Sequence, residues 1–321
     1  MVGQMSSQRT LVAVVIAAAA LAAPWVAYPV FLMTALCFAL FACAFNLLLG
    51  YAGLMSFGHA MFFGTAGYFY GHVVKAWDLP PELGLVAGVG GAAALGLVTG
   101  ALAIRRQGIY FAMITLAFAQ MIYFFCVQAP FTGGEDGLQG IPRKALLGGL
   151  IPTKNDRVLY YVVLAIFLFG YGAIYRFIHS PFGQILKAIR DNEQRALSLG
   201  YEADRYKLLA FVLSAALAGL AGATKALVLQ FATLTDVSAA MSGEVVLMAL
   251  VGGLGTIVGP VVGAFVIITM QNYLASAGEF VLVIQGVIFV VIVIAFRKGL
   301  VGELADWWKR RTSPRPAAGD D

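Results

Sequence analysis

Charged residues are scarce in this chain. Only 12% of its 321 residues are Asp, Glu, Lys or Arg, whereas 61% are hydrophobic and the mean hydropathy is +0.87. A typical soluble domain carries about twice that share of charge, so this composition excludes a soluble globular protein. The sequence also lacks the alternating pattern of barrel strands, which leaves α-helices to satisfy the backbone amides in lipid.

Residues that carry bond chemistry are also few. The cysteines form no CxxC pattern and lie in apolar runs, where we interpret them as packing residues: Cys37, Cys43 and Cys126. The histidines are scattered without a second ligand at metal spacing: His59, His72 and His179. No Ser/His/Asp set, paired carboxylates or phosphate-loop motif is present. We therefore expect no enzyme activity, no metal site and no cofactor.

Apolar runs of about 20 residues recur along the chain, and each is long enough to cross a ~30 Å hydrocarbon core as a helix. They predict an all-α polytopic membrane protein with one domain over residues 1–321 and about ten spans. We place these at 10–27, 30–49, 54–74, 83–104, 109–129, 158–178, 208–232, 244–257, 260–277 and 280–296. The eighth is short, and Gly259-Pro260 separates it from the ninth. The two can be full spans or a re-entrant pair.

The first span has an alternative interpretation. Arg9, the apolar run 11–23 and the small residues before Pro24 also fit a cleaved signal peptide. We favour an uncleaved span, because apolar sequence resumes almost at once and no secreted domain follows.

Basic residues test the orientation, because cytoplasmic loops are enriched in Lys and Arg. With the N-terminus inside, fifteen bases fall in inner segments: Arg9, Arg105, Arg106, Arg176, Lys187, Arg190, Arg195, Arg205, Lys207, Arg297, Lys298, Lys309, Arg310, Arg311 and Arg315. Five fall outside: Lys75, Arg143, Lys144, Lys154 and Arg157. This split predicts that both termini are cytoplasmic, including a short tail at 297–321. It also accounts for the net charge of +5, so we expect no nucleic-acid partner.

The inner segment 179–207 is unusually polar. Nine of the 21 residues from Lys187 to Lys207 are charged, and apolar residues recur at helical spacing beside them. Ser180-Pro181 can begin a helix and Gly200 can end one, so we predict one or two short amphipathic helices. Such helices can lie on membrane lipid or bind a protein. The balance of five bases and four acids favours a protein partner.

The sequence from Gln194 to Gly200, QRALSLG, resembles the EAA-type loop of ABC importer permeases. Gln194 and Arg195 depart from the Glu and Ala that begin that motif. The blocks ALFACAFNLLLGYAGLMSFGHAMFFGTAGY, RRQGIYFAMITLAFAQ, FTGGEDGLQGIP, SGEVVLMALVGGLGTIVGPVVGA and FRKGLVG extend the resemblance over about residues 35–302. Together they resemble the LivM-type permeases of branched-chain amino acid ABC importers.

The resemblance implies a type II importer-like bundle in the bacterial inner membrane. Its expected partners are a second, related permease subunit, two ATPase subunits and a periplasmic substrate-binding receptor. The polar segment would be the coupling helix that enters a cleft of the ATPase. It gives a candidate docking surface: Arg190, Asp191, Glu193, Arg195, Ala196 and Gly200. Ala196 and Gly200 are four residues apart, so we expect them on one helix face.

The glycines at 50, 53, 58, 252, 253, 255 and 259 can serve close helix packing or expose backbone dipoles to a substrate. His59 is either a packing residue or a substrate hydrogen-bond partner. The pathway candidates are His59, Phe62, Thr115, Gln120, Lys225, Glu244 and Gly253. A zwitterion with an apolar side chain needs an apolar wall with little fixed charge, which this chain offers.

The outer loop 130–157 carries four of the outer bases, which are either solvated charges or contacts for the receptor: Arg143, Lys144, Lys154 and Arg157. Rival functions are an ion-coupled secondary transporter of small amino or organic acids and a membrane-embedded enzyme. The former often buries acidic residues. Here Glu244 and Glu279 lie at predicted span ends, which disfavours it. Neighbouring genes for ATPases and a receptor would discriminate these functions.

Lys225 lies well inside a predicted span, where the relatives usually have an uncharged residue. A Lys near the centre of a membrane helix costs about 2.5–3.5 kcal/mol. Its side chain can snorkel to the outer surface, pair with Glu244, or meet a substrate carboxylate in the pathway.

Overall fold

The computed structural model describes residues 18, 20–149, 151–274, 281–296 and 299–303. The main helices, numbered here in chain order, are α1 (Pro29–Asn46), α2 (Ala60–Lys75), α3 (Pro81–Ala103), α4 (Ile109–Gln128), α5 (Asp156–Ile178), α6 (Pro181–Asp191), α7 (Glu193–Ser198), α8 (Ala203–Leu229), α9 (Ala239–Gly252), α10 (Gly259–Leu274) and α11 (Val281–Ala295). A π-helical turn, Leu47–Tyr51, extends α1. Short 3-10 turns lie at Pro130–Thr132, Gly134–Asp136, Leu147–Gly149 and Leu234–Val237. Across these described ranges there is no β-strand, which confirms the all-α prediction.

Among the residues that the structure describes, five helical segments are long and apolar enough to cross a membrane: Pro29–Tyr51, Pro81–Ala103, Ile109–Gln128, Asp156–Ile178 and Ala203–Leu229. The helices α9 and α10 are shorter and also apolar. Each predicted span from the second to the tenth overlaps a helix in the described part of the chain. Half of the first, 10–27, falls on residues outside the described part, as does most of the tail at 297–321. The chain is a polytopic all-helical membrane protein.

The layering follows from burial. In the most apolar part of α1, 83% of residues are buried, and in α8 72%, against 28% in both α3 and α4. The helix α8 packs against the other two inner helices, α1 and α2, while α3 covers α2 and α8, and α5 covers α1. The rings of Phe38 and Phe41 on α1 contact the ring of Phe63 on α2. The helices α9 and α10 form a close pair beside α1. The outer helices leave apolar side chains exposed, as a lipid-facing or partner-facing surface does.

Glycines make the inner contacts close. A Cβ on Gly222 of α8 would overlap the carbonyl oxygen of Phe63 in α2, and one on Gly58 would overlap the carbonyl of Thr115. In the α9–α10 pair, Gly252 meets the carbonyl of Gly259 in the same way. These contacts support the packing interpretation, because glycine lets backbones approach within a distance that no other residue permits.

The predicted span 54–74 is wrong at its start, because α2 begins only at Ala60. Residues 53–59 form an irregular segment inside the protein, where Ser56 and His59 are fully buried. Its backbone amides bind hydroxyls: Phe57 N–H donates to Thr115 Oγ1 (3.2 Å) and Ala60 N–H donates to Ser242 Oγ (3.0 Å). Irregular backbone is tolerated at membrane depth when protein groups satisfy it. An apolar run in the sequence does not reveal this arrangement.

The predicted span 244–257 is also displaced. The helix α9 begins after Ser238, whose hydroxyl caps it by accepting the amide of Met241 (3.3 Å), and it ends before Gly253, where φ is +117°. Glu244 therefore lies inside α9 rather than at its start. The position of Glu244 therefore no longer disfavours an ion-coupled transporter, because this acidic residue lies within a helix and not at a span end.

Candidate coupling surface and pathway residues

The polar segment forms two helices, α6 and α7, as the pattern predicted. Ser180 caps α6 by accepting the amide of Gly183 (3.4 Å), and Pro181 is its first residue. Asn192 separates the helices and caps α7 through the amide of Arg195 (3.0 Å). Gly200, with φ of +86°, turns the chain out of α7. The local capping signals therefore determine where each helix begins and ends.

Two predicted docking residues face inward instead. Ala196 is buried in a small cluster with Ile189 and Ala203. Glu193 pairs with Lys207 (2.6 Å), whose side chain is only 4% exposed. The expectation that Ala196 and Gly200 share a helix face is wrong, because α7 ends at Ser198 and Gly200 lies beyond it. The base that pairs with Glu193, Lys207, lies on the next helix, α8, and this pair was not predicted from the sequence.

Arg190 is also directed at the protein. Its Nη1 donates to the carbonyl of Gly50 (2.5 Å), and its Nε and Nη2 donate to Asp191 Oδ1 (3.1 and 2.9 Å). Arg190 therefore joins α6 to the π-helical turn of α1. The Arg190 side chain remains 38% exposed, so these contacts cover only part of it.

Large apolar side chains are exposed on α7 and just after it, next to the exposed polar residues Gln194, Arg195 and Ser198. Leu199 is 71% exposed and Leu197 47%, with Tyr201 beside them. The exposed Arg195 lies on the same short helix. We call Arg195, Leu197, Leu199, Gly200 and Tyr201 the exposed coupling surface. A groove of about 420 Å³ adjoins it, lined by Gly200, Tyr201, Glu202, Arg205, Tyr206 and Leu209.

His59 is fully buried among aromatic rings. Its Nε2 lies 2.8 Å from Ser214 Oγ, and that hydroxyl donates to the carbonyl of Ala44 (2.5 Å). Because the Ser214 hydroxyl donates to Ala44, the Nε2–H of His59 donates to Ser214. The rings of Phe45 and Phe62 contact it edge-on at 5.5 and 5.4 Å. This environment supports the packing interpretation of His59.

The other pathway candidates do not converge on one cavity. Phe62 is fully buried beside His59, and Thr115 is fully buried with its hydroxyl used by Phe57 and Ala112. Gln120 is half-buried on α4. The carboxylate of Glu244 accepts a hydrogen bond from the side chain of Gln271 on α10.

Gly253, the remaining glycine candidate, ends α9 and approaches Gly299. A pocket of about 530 Å³ opens elsewhere, between α4 and the Leu234–Val237 turn. Its lining contains none of the candidates: Tyr123, Phe124, Val127, Glu135, Leu234, Thr235 and Ser238.

Lys225 has a partner that the sequence did not suggest. Its ammonium forms an ion pair with Asp236 in the Leu234–Val237 turn, and the two side chains are 9% and 7% exposed. The rings of Phe38 and Phe63 lie 5.6 and 5.7 Å from the ammonium. The snorkelling interpretation is wrong, because the ammonium of Lys225 is buried. The pairing with Glu244 is also wrong, because the turn Leu234–Val237 packs inward and places Asp236 beside Lys225.

The four outer bases divide into two pairs. Arg143 is bound internally, since it donates to Asp156 (2.7 Å) and to the carbonyl of Val228 (2.5 Å). Lys144 pairs with Asp78 (2.6 Å). Lys154 and Arg157 are exposed, and Arg157 lies over the ring of Trp25 at 4.7 Å. The guanidinium of Arg143 ties the outer loop to α5 and α8, so it has fewer donors free for a receptor than Lys154 or Arg157.

Comparison with known families now adds to this geometry. A family profile described as "branched-chain amino acid transport system / permease component" matches residues 28–295, which include every helix from α1 to α11. The chain belongs to this family.

Among curated relatives, this permease is 29% identical over 277 residues to the high-affinity branched-chain amino acid transport system permease protein LivM of Escherichia coli K12. The LivM protein of Salmonella typhimurium LT2 is 28% identical over the same length. Each match covers 79% of this chain and 63% of the relative, so the chain spans less than two thirds of their length.

A third relative is the ribose import permease protein RbsC of Bacillus subtilis 168, 30% identical over 177 residues. That match covers 52% of this chain and 51% of RbsC. No solved structure matches the chain, so the type II importer-like arrangement of its helices stays a prediction. The relatives are named as transport or import permeases, and the chain described here is a multi-pass helical membrane protein.

Proposed function

We propose that this chain is a permease subunit of an ABC importer that translocates branched-chain amino acids or related small amides and carboxylates. The observation that carries the proposal is the family match across the described helices. The exposed coupling surface supports it, because exposed leucines on a polar helix outside the membrane-crossing segments suit a protein cleft.

The proposed partners are a second permease subunit, two ATPase subunits and a periplasmic receptor. The subunit lies in the bacterial inner membrane with both termini in the cytoplasm. Hydrolysis of ATP belongs to the partner subunits, and this chain performs no bond chemistry. Closure of the ATPases pushes on α6 and α7 and switches the helical bundle between outward and inward access.

Receptor docking in this proposal uses the exposed outer bases, Lys154 and Arg157, with Lys144 at their side. Charges at the rim of an interface mainly accelerate association and make it sensitive to salt. The proposed pathway is largely apolar, and Gln120 and Glu244 are the polar residues we assign to it. The ion-coupled alternative is not favoured, because the matched relatives are named as components of transport systems and import permeases.

Uptake by the reconstituted complex tests the function. Vesicles that contain the permease pair, the ATPases and the receptor should accumulate radiolabelled leucine only when ATP is supplied inside. An ion gradient without ATP serves as the control for the alternative transporter. Accumulation that needs the gradient and ignores ATP would contradict the proposal, and uptake of urea alone would change the substrate but not the transporter class.

The docking surface makes a second prediction. Leu199→Asp should weaken binding of the ATPase subunits at least tenfold, because it places a charge where an apolar side chain enters the cleft. The residue is 71% exposed, so the permease should still fold.

Gln184→Asp, an equally drastic change at an exposed position of α6, is the control and should bind normally. Pull-down of the ATPases from detergent solution measures both variants. Equal binding by Leu199→Asp and wild type would place the contact elsewhere.

A further inference from the structure

The π-helical turn Leu47–Tyr51 lies where two distant parts of the chain meet. Such turns insert an extra residue into a helix and are frequent at functional sites. The chain leaves the helix after Ala52, so the carbonyls of this turn have no complete set of helical partners. The carbonyl of Gly50 receives its hydrogen bond from Arg190 on α6.

Arg190 is held tightly in this position. Asp191 accepts two hydrogen bonds from the guanidinium at 3.1 and 2.9 Å, which fixes its plane. Gly53 has φ of +72°, and a Cβ there would lie 2.8 Å from Arg190 Cγ. Lys187, one helical turn before Arg190, places its ammonium 5.5 Å from the ring centre of Tyr51. On one side, therefore, the π-helical turn at the end of α1 packs closely against α6.

The opposite side of the same turn contacts the loop between α9 and α10. Asn46 donates from Nδ2 to the carbonyl of Thr256 (2.8 Å) and accepts the amide of Gly255 at Oδ1 (3.0 Å). A Cβ on Gly50 would lie 2.8 Å from the nitrogen of Gly255. One asparagine therefore ties α1 to the loop through both of its amide atoms.

These contacts form a continuous connection from α6 through the turn to the loop at 253–258. We propose that Arg190 is a positioning residue that transmits the movement of α6 and α7 to α1 and, through Asn46, to the α9–α10 pair. It acts inside the permease and makes no ATPase contact. The inference rests on the proposed function and adds the route by which the coupling helices reach the membrane helices.

The test uses Arg190→Gln in the full reconstituted complex. Gln keeps a polar side chain but loses the fork that joins Gly50 to Asp191. We expect ATPase binding and ATP hydrolysis within about twofold of wild type, and at least a tenfold rise in ATP hydrolysed per substrate transported. In Arg190→Lys, the ATP hydrolysed per substrate transported should lie between the values of wild type and Arg190→Gln, because the lysine ammonium can still donate to the carbonyl of Gly50. A purely structural role would lower both activities together and leave the ratio unchanged.

The matched control is Arg195→Gln on the exposed coupling surface, which should weaken ATPase binding without raising that ratio. Loss of ATPase binding in Arg190→Gln, or an unchanged ratio, would overturn the proposal. If Arg190→Gln fails to assemble, Asn46→Asp decides, since it keeps the acceptor for Gly255 and loses the donor to Thr256. Asn46→Asp should raise the ATP hydrolysed per substrate transported, and a wild-type value of this ratio would contradict the proposal.

A readout without substrate separates this inference from the substrate assignment. In wild-type complexes, nucleotide binding should change hydrogen exchange in the peptide that covers residues 47–56, and Arg190→Gln should abolish that change. Failure of leucine uptake by the wild type would count against the substrate, whereas persistence of the exchange response in Arg190→Gln would refute the relay.

Discussion

Lys225→Met is expected to destabilise the protein by about 3–5 kcal/mol, because it leaves Asp236 buried without its counter-charge. The side chains of the pair are 9% and 7% exposed, so water cannot replace the lost partner. Phe38 and Phe63 surround the ammonium, and their ring faces offer nothing to a carboxylate. Thermal unfolding in detergent should show a Tm lower by about 5–10 °C.

The double variant Lys225→Met with Asp236→Asn should recover most of the loss, because it removes both charges. Lys144→Met is the matched control: its partner Asp78 is 90% exposed, and a pair at the surface contributes about 0–1 kcal/mol. An unchanged Tm in Lys225→Met would show that the pair does not stabilise the fold. If transport then fell at normal stability, the result would favour a pathway role for Lys225.

Gly222→Leu is expected to prevent folding. A Cβ at this position already overlaps the carbonyl of Phe63, a backbone atom that cannot rotate away. The ring of Phe63 is itself stacked on Phe41 at 4.5 Å between centroids, so α2 cannot yield without disturbing α1. Overpacking usually costs about 1–3 kcal/mol, and a clash between two inner helices should exceed that range. The yield of monodisperse permease on size exclusion should fall at least tenfold.

The control for this change is Gly90→Leu on α3, where a Cβ meets nothing within 4 Å. Both variants add the same apolar side chain to a helix of the bundle, so the difference between them measures packing alone. Similar yields for the two would show that α2 and α8 can separate, and the close contact would then not hold the core together.

The sequence by itself determined the helical class and most helix positions. Lipid offers backbone amides no partners, so each long apolar run can only be a helix, whatever its neighbours are. The start of α6 and the end of α7 were also predictable, because Ser180, Pro181 and Gly200 act on the backbone within one turn of themselves. The family resemblance, at about residues 35–302, overlaps most of the range 28–295 that the profile matches.

Side-chain direction was decided by the tertiary structure. Arg190, Glu193 and Ala196 lie in a segment that is mostly exposed, and their charge or size says nothing about which face is covered. Only the packing of α6 and α7 against α8 and the end of α1 turns them inward. The motif predicts the segment, and the tertiary structure shows which of its side chains are covered and which, such as Arg195 and Gly200, are exposed.

The partner of Lys225 depended on a turn far from any periodic pattern. Asp236 lies in sequence among Thr and Ser residues typical of a solvated loop, eleven positions after the lysine. It becomes buried because the Leu234–Val237 turn packs onto α2, where Gly64 leaves room for Val237. The irregular segment at 53–59 has the same origin, since hydroxyls from α4 and α9 satisfy its amides. Contacts of this kind join residues distant in sequence, so local propensity and hydropathy carry no record of them.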